Sequence, residues 1–253
     1  MTDIVRAART AFVTGAAQGL GAAIVRALHD AGYAVAIADI NVTKAEALAA
    51  ELAEVRGAPI CGVSVDIRAK ESITRAVQDV TERLGEIDIL VNNAGLTRAK
   101  EFFDISEDEW NEVLEVNLRG MFFSCQVIAP SMISKRWGRI INLASIAGQR
   151  GGPQVQGLHY ASSKAAIIGL TRYLAYEFGQ YGVTVNSIAP GPIVTEQTKL
   201  APQEKLERVA KELPVKRLGD VEDVGALAAF LCSPNGGFIT GATLDINGGL
   251  LMR

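Results

Sequence analysis

Histidine and cysteine are scarce in this chain. Its 253 residues include two histidines, His29 and His159, and three cysteines, Cys61, Cys125 and Cys232. So few histidines argue against a histidine-rich metal site, and none is expected. The cysteines are odd in number, far apart and without a C-x-x-C pair, so they read as small buried hydrophobes of a reducing compartment. No run of about 18 apolar residues occurs, so no membrane-spanning helix is expected. The first residues hold no continuous apolar stretch before a cleavage site, so no signal peptide is expected and the location should be cytoplasmic. A basic stripe is missing as well. Lysine and arginine total 25 against 28 aspartate and glutamate, and the pairs Lys135-Arg136 and Lys216-Arg217 are isolated. That balance excludes a nucleic-acid partner.

What remains is abundant apolar material, 49% of residues, enough for a large core. It falls into short runs at 10–14, 34–40, 60–65, 87–91, 139–143, 183–188 and 243–246, which read as strands. Between them, 22–31, 44–55, 72–84, 107–134, 161–181, 201–212 and 221–232 have helical spacing. Ser106 with Glu109 forms a capping box at the start of the long fourth helix. Strands apolar on both faces and separated by helices imply an α/β Rossmann-type, doubly wound parallel sheet of about seven strands. No linker, repeat or low-complexity tract interrupts residues 1–253, so one catalytic domain is expected. In such folds ligands lie beyond the C-terminal strand ends.

The first strand ends in Gly15-Ala-Ala-Gln18-Gly19-Leu20-Gly21 and runs into a helix. Glycines there permit a tight turn and close approach of a pyrophosphate, which the helix N-terminus attracts. Packing alone also explains a glycine-rich turn, but the strand–turn–helix setting favours the ligand. Asp39 ends the second strand, 18 residues after Gly21. Its carboxylate is placed to accept from ribose hydroxyls and to repel a 2′-phosphate. Nothing basic stands at Gln18 or Ile40 to offset that repulsion, so NAD is expected in preference to NADP. Asp66 either meets the adenine amino group or serves a turn, and Ile67 is placed to pack on the ring.

Gly15-x-x-x-Gly19-x-Gly21, Asn92-Asn93-Ala94-Gly95, Asn117, Ser145, Tyr160-x-x-x-Lys164 and Pro190-Gly191 occur in that order. Each piece is weak alone; the ordered set, over essentially the whole chain, resembles the short-chain dehydrogenase/reductase family, and in particular its 3-oxoacyl-ACP reductase-like members. The residue types agree with its chemistry. Tyr160 and Lys164 are i and i+4 on one helix face. A free phenol has a pKa of about 10. A neighbouring ammonium is expected to bring it down, making Tyr160 the acid/base group. Ser145 is expected to orient the substrate oxygen.

The resemblance further implies that Lys164 binds the nicotinamide ribose and that Asn117 anchors a water linking Lys164 to solvent; a buried asparagine bonding backbone is compatible with this. It also implies that Asn93, Ala94 and Gly95 shape the adenosine side, and that Ile193 and Thr195, after Pro190-Gly191, hold the carboxamide. Fourteen residues separate Ser145 from Tyr160, a slightly long connection that should bulge near the substrate. His159 reads as a helix-entry residue. Residues 196–213 are expected to form a lid, and Leu96, Ile146, Val155 and Leu200 are candidates for an apolar pocket wall. The two long helices carry apolar residues on more than one face, implying a homotetramer.

The reading favoured is an NAD-dependent oxidoreductase that interconverts a small secondary alcohol and its ketone. An NADPH-dependent 3-oxoacyl thioester reductase is the alternative enzyme. A dinucleotide-sensing protein is the non-enzymatic alternative, although sensing would not require Asn117, Ser145, Tyr160 and Lys164 together.

Overall fold

A computed structural model describes residues 9–55, 57–150, 156–196 and 198–252. In chain order the first half holds β1 (Thr10–Thr14), α1 (Gly19–Asp30), β2 (Ala34–Asp39), α2 (Val42–Ala53), β3 (Ile60–Ser64), α3 (Lys70–Leu84) and β4 (Ile87–Asn92). The second holds α4 (Glu107–Leu114), α5 (Gly120–Lys135), β5 (Gly138–Leu143), α6 (Leu158–Gly179), β6 (Val183–Pro190), β7 (Ile193–Val194), α7 (Gln203–Glu212), β8 (Gly219–Asp220), α8 (Val221–Cys232) and β9 (Thr243–Ile246). Seven strands pair in parallel in the order β3-β2-β1-β4-β5-β6-β9. The expected Rossmann-type sheet is present. The order reverses between β1 and β4, which opens a crevice at their C-terminal ends.

Alternation along the strands explains why they are apolar throughout. Ala11, Val13, Val35, Ile37, Ile89 and Val91 face one layer, made by α1, α2 and α8. Phe12, Ala36, Ala38, Leu90 and Ile140 face the other, which includes α3, α5 and α6. Each strand therefore buries both faces, and a period of two does not show as polar alternation.

Two features differ from the sequence reading. The helix expected over 107–134 is interrupted: Glu115–Arg119 forms a wide π-turn between α4 and α5. Such a turn weakens the backbone ladder and is tolerated where side chains hold it. Glu115 pairs with Arg119 across it, and Asn117 at its centre is fully buried and hydrogen-bonded. Second, β7 and β8 form a small separate sheet, with Ile193 opposite Gly219 and Val194 opposite Asp220. It ties the segment after β6 to the start of α8.

The helix carrying the glycine-rich turn packs against α8 so closely that a β-carbon at Gly225 would stand 2.8 Å from the Ala23 carbonyl oxygen. Gly225→Ala gains about 1 kcal/mol of helix propensity but overpacks that contact by about 1–3 kcal/mol. A net loss of up to about 2 kcal/mol is expected, read as a lower urea midpoint with unchanged m-value.

Candidate active site

The C-terminal strand ends line two adjoining clefts. One, of about 600 Å³, is bordered by Gly15, Gln18, Gly19, Asp39, Asp66 and Ala94 among others. The second, of about 860 Å³, has Ser145, Tyr160, Lys164 and Pro190–Ile193 in its wall. Leu20, Asn93, Gly95 and Thr195 border both. Together the clefts form a trough suited to a ligand with two joined halves.

The first cleft has the features of a pyrophosphate cradle. Gly15 and Gly19 have φ of 61° and 59°, the left-handed region where a side chain is strained. A β-carbon at Gly21 would stand 2.4 Å from the Gly15 carbonyl oxygen, so the loop closes only on glycine. A β-carbon at Gly19 would meet nothing within 4 Å. No side chain caps α1 at Gln18, so its first-turn N–H groups face the cleft available to an anion. Asn93 locks this loop from behind: its Nδ2 donates to the Thr14 and Gly15 carbonyls at 3.0 and 2.8 Å. The Thr14 hydroxyl accepts from the Asn93 and Ala94 N–H groups. These residues fit a dinucleotide.

Asp39 sits at the far end. Its Oδ2 accepts from Ala17 N at 3.0 Å and its Oδ1 from Asn41 N at 2.9 Å. The carboxylate is thus fixed in place beside Gln18 and the exposed Ile40. Lys44 Nζ donates to Gln18 Oε1 at 3.1 Å. Asp66 is held by Arg68, whose Nε and Nη2 contact both carboxylate oxygens. That ion pair keeps the carboxyl below its usual range. Ile67 borders the cleft while packing where a Gly120 side chain would be.

In the second cleft, Tyr160 stands in the first turn of α6, which begins at Leu158, three residues earlier than expected. The Ser145 hydroxyl hydrogen-bonds the Tyr160 phenol and accepts from Ala147 N at 3.1 Å, fixing its own rotamer. Lys164 Nζ donates to the Leu143 carbonyl at 2.6 Å and lies 5.5 Å from the Tyr160 ring centre. Burial pushes the lysine down to about 8. Here the structure qualifies the expected acidification. Burial raises the Tyr160 phenol, and the Ser145 hydrogen bond opposes that rise.

Asn117 is placed by the π-turn. Its Oδ1 accepts from Leu96 N at 2.6 Å, and its Nδ2 donates to Leu96 O and to Ser163 Oγ, each at 3.0 Å. The backbone-bonding reading therefore holds. A β-carbon at Gly95 would lie 3.5 Å from Asn117 Oδ1 and 3.7 Å from Lys164 Nζ, so Gly95 keeps a space open between them.

The pocket-wall expectations fare unevenly. Ile146 lines the second cleft. Leu96 lines the first instead, because Asn117 pins its backbone there. Leu200 is 85% exposed and lines neither; the turn Thr198–Leu200 directs it to solvent. Val155 lies outside the described residues. The apolar wall comes from Leu206 and Val209 of α7, in the segment expected to form the lid, with Leu218 and Leu250, which the sequence reading did not name. Helical spacing in 201–212 was the available signal for the first two, which face inward as a lid helix would. Arg150 and Gln156, in the long connection, also reach this cleft. Thr198 braces Thr195: its hydroxyl accepts from Thr195 N at 2.6 Å and donates to Ile193 O at 3.2 Å.

His159 is fully buried, neither ring nitrogen has a partner among the described residues, and it is not among the described residues lining the cleft.

Fold and site together define a dinucleotide-dependent oxidoreductase, and comparison with known proteins agrees. The chain matches the family model described as enoyl-(acyl carrier protein) reductase over residues 15–251. It belongs to this family of short-chain dehydrogenases/reductases. It is 39% identical over 242 residues to the 3-oxoacyl-[acyl-carrier-protein] reductase FabG of Aquifex aeolicus, covering 96% of this chain and 97% of that protein. The Vibrio cholerae FabG is 37% identical, covering 96% of this chain and 98% of that one. Among solved structures, a Brucella melitensis 3-oxoacyl-[acyl-carrier protein] reductase with bound NAD superposes with a TM-score of 0.90 at 34% identity, covering 97% of this chain and 92% of that one. A structure titled gox2181 superposes with a TM-score of 0.91 at 31% identity, covering 96% of each chain.

Two outcomes follow from the buried groups. His159 has its pKa lowered, chiefly by burial. The unfolded chain then takes up its proton before the folded one, so this contribution to stability is intact above about pH 6.5 and declines as pH falls below it. Denaturation midpoints across pH 5–8 should show a decline that His159→Leu reduces. Lys164, charged at pH 7 yet buried, should destabilise the ligand-free protein. Lys164→Met is expected to raise the thermal midpoint at pH 7 while abolishing turnover.

Proposed function

We propose that this enzyme reduces the C3 ketone of a 3-oxoacyl thioester to the hydroxyl. The observation that carries this reading is the convergence of Ser145 and Tyr160 on one point of an apolar-walled cleft of about 860 Å³ that adjoins the dinucleotide trough. The near full-length likeness to 3-oxoacyl-[acyl-carrier-protein] reductases supports the substrate class. It favours that class over the small secondary alcohol that the sequence reading put first. Asp39 supports NAD(H), and the Brucella relative was solved with NAD.

A nicotinamide dinucleotide held along the trough by Gly15, Gly19, Asn93 and Ile193 would supply the hydride for this reduction. The Ser145 hydroxyl then donates to the substrate carbonyl oxygen and holds it against Tyr160. As that oxygen gains charge, the phenol delivers its proton to it. Lys164, anchored by Leu143, stabilises the phenolate left behind and orients the ribose. Asn117 and the space beside Gly95 offer a water position from which the proton is replaced. Leu206 and Val209 shut water out as α7 closes.

Tyr160→Phe should lower kcat about 10²–10⁴-fold with acetoacetyl-CoA and NADH, followed at 340 nm, with dinucleotide affinity kept. Turnover of simple secondary alcohols at a higher kcat/KM than the thioester would reject the substrate class.

The exposed Phe122 on α5 and Tyr173 and Tyr176 on α6 support burial between subunits of a homotetramer. Sedimentation should give four copies; a monomer overturns this. One catalytic domain acting in the cytoplasm is the setting proposed. Among the described residues no helix is long and apolar enough to cross a membrane.

A further inference from the structure

We infer that Arg150, with Lys205 of the lid helix, is a specificity-determining residue that receives an anionic group carried by the substrate away from its reacting carbonyl. This role presupposes the reaction proposed above, a ketone held by Ser145 and Tyr160 and reduced in the second cleft.

Ile146, Leu206, Val209, Leu218 and Leu250 give that cleft an apolar wall. Beyond Lys164, two positively charged side chains interrupt it, Arg150 and Lys205. They come from separate elements. Arg150 follows the turn Ile146–Gly148, which starts from Ser145, and its N–H donates to Ile146 O at 2.9 Å. That turn is anchored on both sides. A β-carbon at Gly148 would stand 2.5 Å from Ala165 N in α6, and Gln149 Nε2 donates to Asp245 Oδ1 of β9 at 2.8 Å. The guanidinium therefore rises from a fixed support in register with the hydroxyl that orients the ketone.

Lys205 reaches the cleft through the pitch of α7. Lys205, Val209 and Glu212 fall on one helix face and all border the cleft. Glu204, Glu207, Arg208 and Lys211, on the other faces, are not among the described residues that do. Glu212 lies two turns on, about 10 Å along the axis. Among the described residues neither Arg150 nor Lys205 forms an ion pair. The cations flanking α7 do, Lys199 with Glu196 and Arg217 with Asp223. Lys164 is committed to the Leu143 carbonyl. Arg150 and Lys205 are also not among the residues bordering the first cleft, where the pyrophosphate cradle lies. Their charge is therefore left for what enters the second.

An apolar cleft with a few placed polar groups takes a ligand of matching pattern. A 3-oxo thioester is itself neutral. Its charge lies on the carrier arm as phosphate or, in a free oxo acid, on a carboxylate. Both present the paired anionic oxygens that a guanidinium fork grips.

The test compares three ketones with NADH at 340 nm: acetoacetyl-CoA, the uncharged N-acetylcysteamine thioester of acetoacetate, and acetoacetate itself. Arg150→Gln should raise KM for acetoacetyl-CoA about five- to tenfold, with kcat and the KM for NADH held. The uncharged thioester should change by no more than about twofold. Arg150→Lys should recover most of the loss, and Lys205→Gln should act in the same direction. High salt should shrink the effect. A loss confined to acetoacetate supports the proposal with a carboxylate as the anion; a loss confined to acetoacetyl-CoA supports it with phosphate. Three results overturn it: unchanged KM for both charged ketones in Arg150→Gln, an equal loss with the uncharged thioester, or a matching rise in the KM for NADH. A wild type that prefers acetoacetate to both thioesters rejects the thioester reading instead, and the Arg150 effect is then read on acetoacetate. Equal urea midpoints for the variants show that the fold is kept, since both side chains are exposed.

Discussion

A lysine ammonium with almost no solvent is the constraint on which the site depends. Lys164 is 4% exposed, and its charge is stabilised by the carbonyl that ends β5. An isolated buried cation is costly, so its position has to be over-determined by the surroundings. The surroundings supply this from three directions. β5 brings Leu143 and then Ser145, α6 brings Tyr160 one turn before the lysine, and the π-turn brings Asn117 to the same depth. Asn117, at the centre of the π-turn, is bonded to both the N–H and the carbonyl of Leu96. A locally weak helix is therefore retained because it serves a charged site.

Much of this architecture is legible in the sequence, for identifiable reasons. Strands apolar on both faces demand cover on both sides, so periodicity alone fixes the layer order and the parallel sheet. Glycines at 15, 19 and 21 are informative because geometry permits nothing larger at 21 and strains anything else at 15 and 19. The Tyr160–Lys164 spacing is read straight from helical pitch. What escapes is whatever depends on contacts distant in the chain. The π-turn has no period of its own within a helical stretch. The β7–β8 pair is two residues per strand and carries no alternation. Leu200 and Leu206 look alike in sequence, but a short turn sends one to solvent while α7 points the other inward.

The acid/base chemistry shows the same division. A lysine four residues after a tyrosine is a pattern; whether it acidifies the phenol depends on distance and on competing partners. Here burial raises the phenol more than the Ser145 hydrogen bond lowers it, so Tyr160 is a stronger proton holder than a free phenol. That state suits reduction, in which the phenol must arrive protonated and part with its proton only once the substrate oxygen becomes basic. A phenol ionised in advance would suit only the reverse direction. The rise in pKa on burial and the proposed reductive role are thus consistent, with Ser145 positioned to shift the balance as substrate displaces its bond to Tyr160.

The same reasoning bears on which bond is reduced. The matched family model is described by an enoyl substrate, whereas the relatives are named for a 3-oxoacyl one. Reducing a carbon–carbon double bond places the arriving proton on carbon, and an oxygen acid is then needed only to steady the distant thioester carbonyl. Reducing a ketone places hydride and proton on adjacent atoms of one group. A proton donor and a second hydroxyl aimed at one oxygen, within reach of the nicotinamide half of the trough, satisfy the second requirement directly. Ser145 is the discriminating residue in this argument. Its rotamer is held by Ala147 N and its hydroxyl meets the Tyr160 phenol, so the two groups are placed to share a single substrate oxygen. The ketone reading thus rests on a hydroxyl orientation that the short turn after β5 imposes before any substrate arrives.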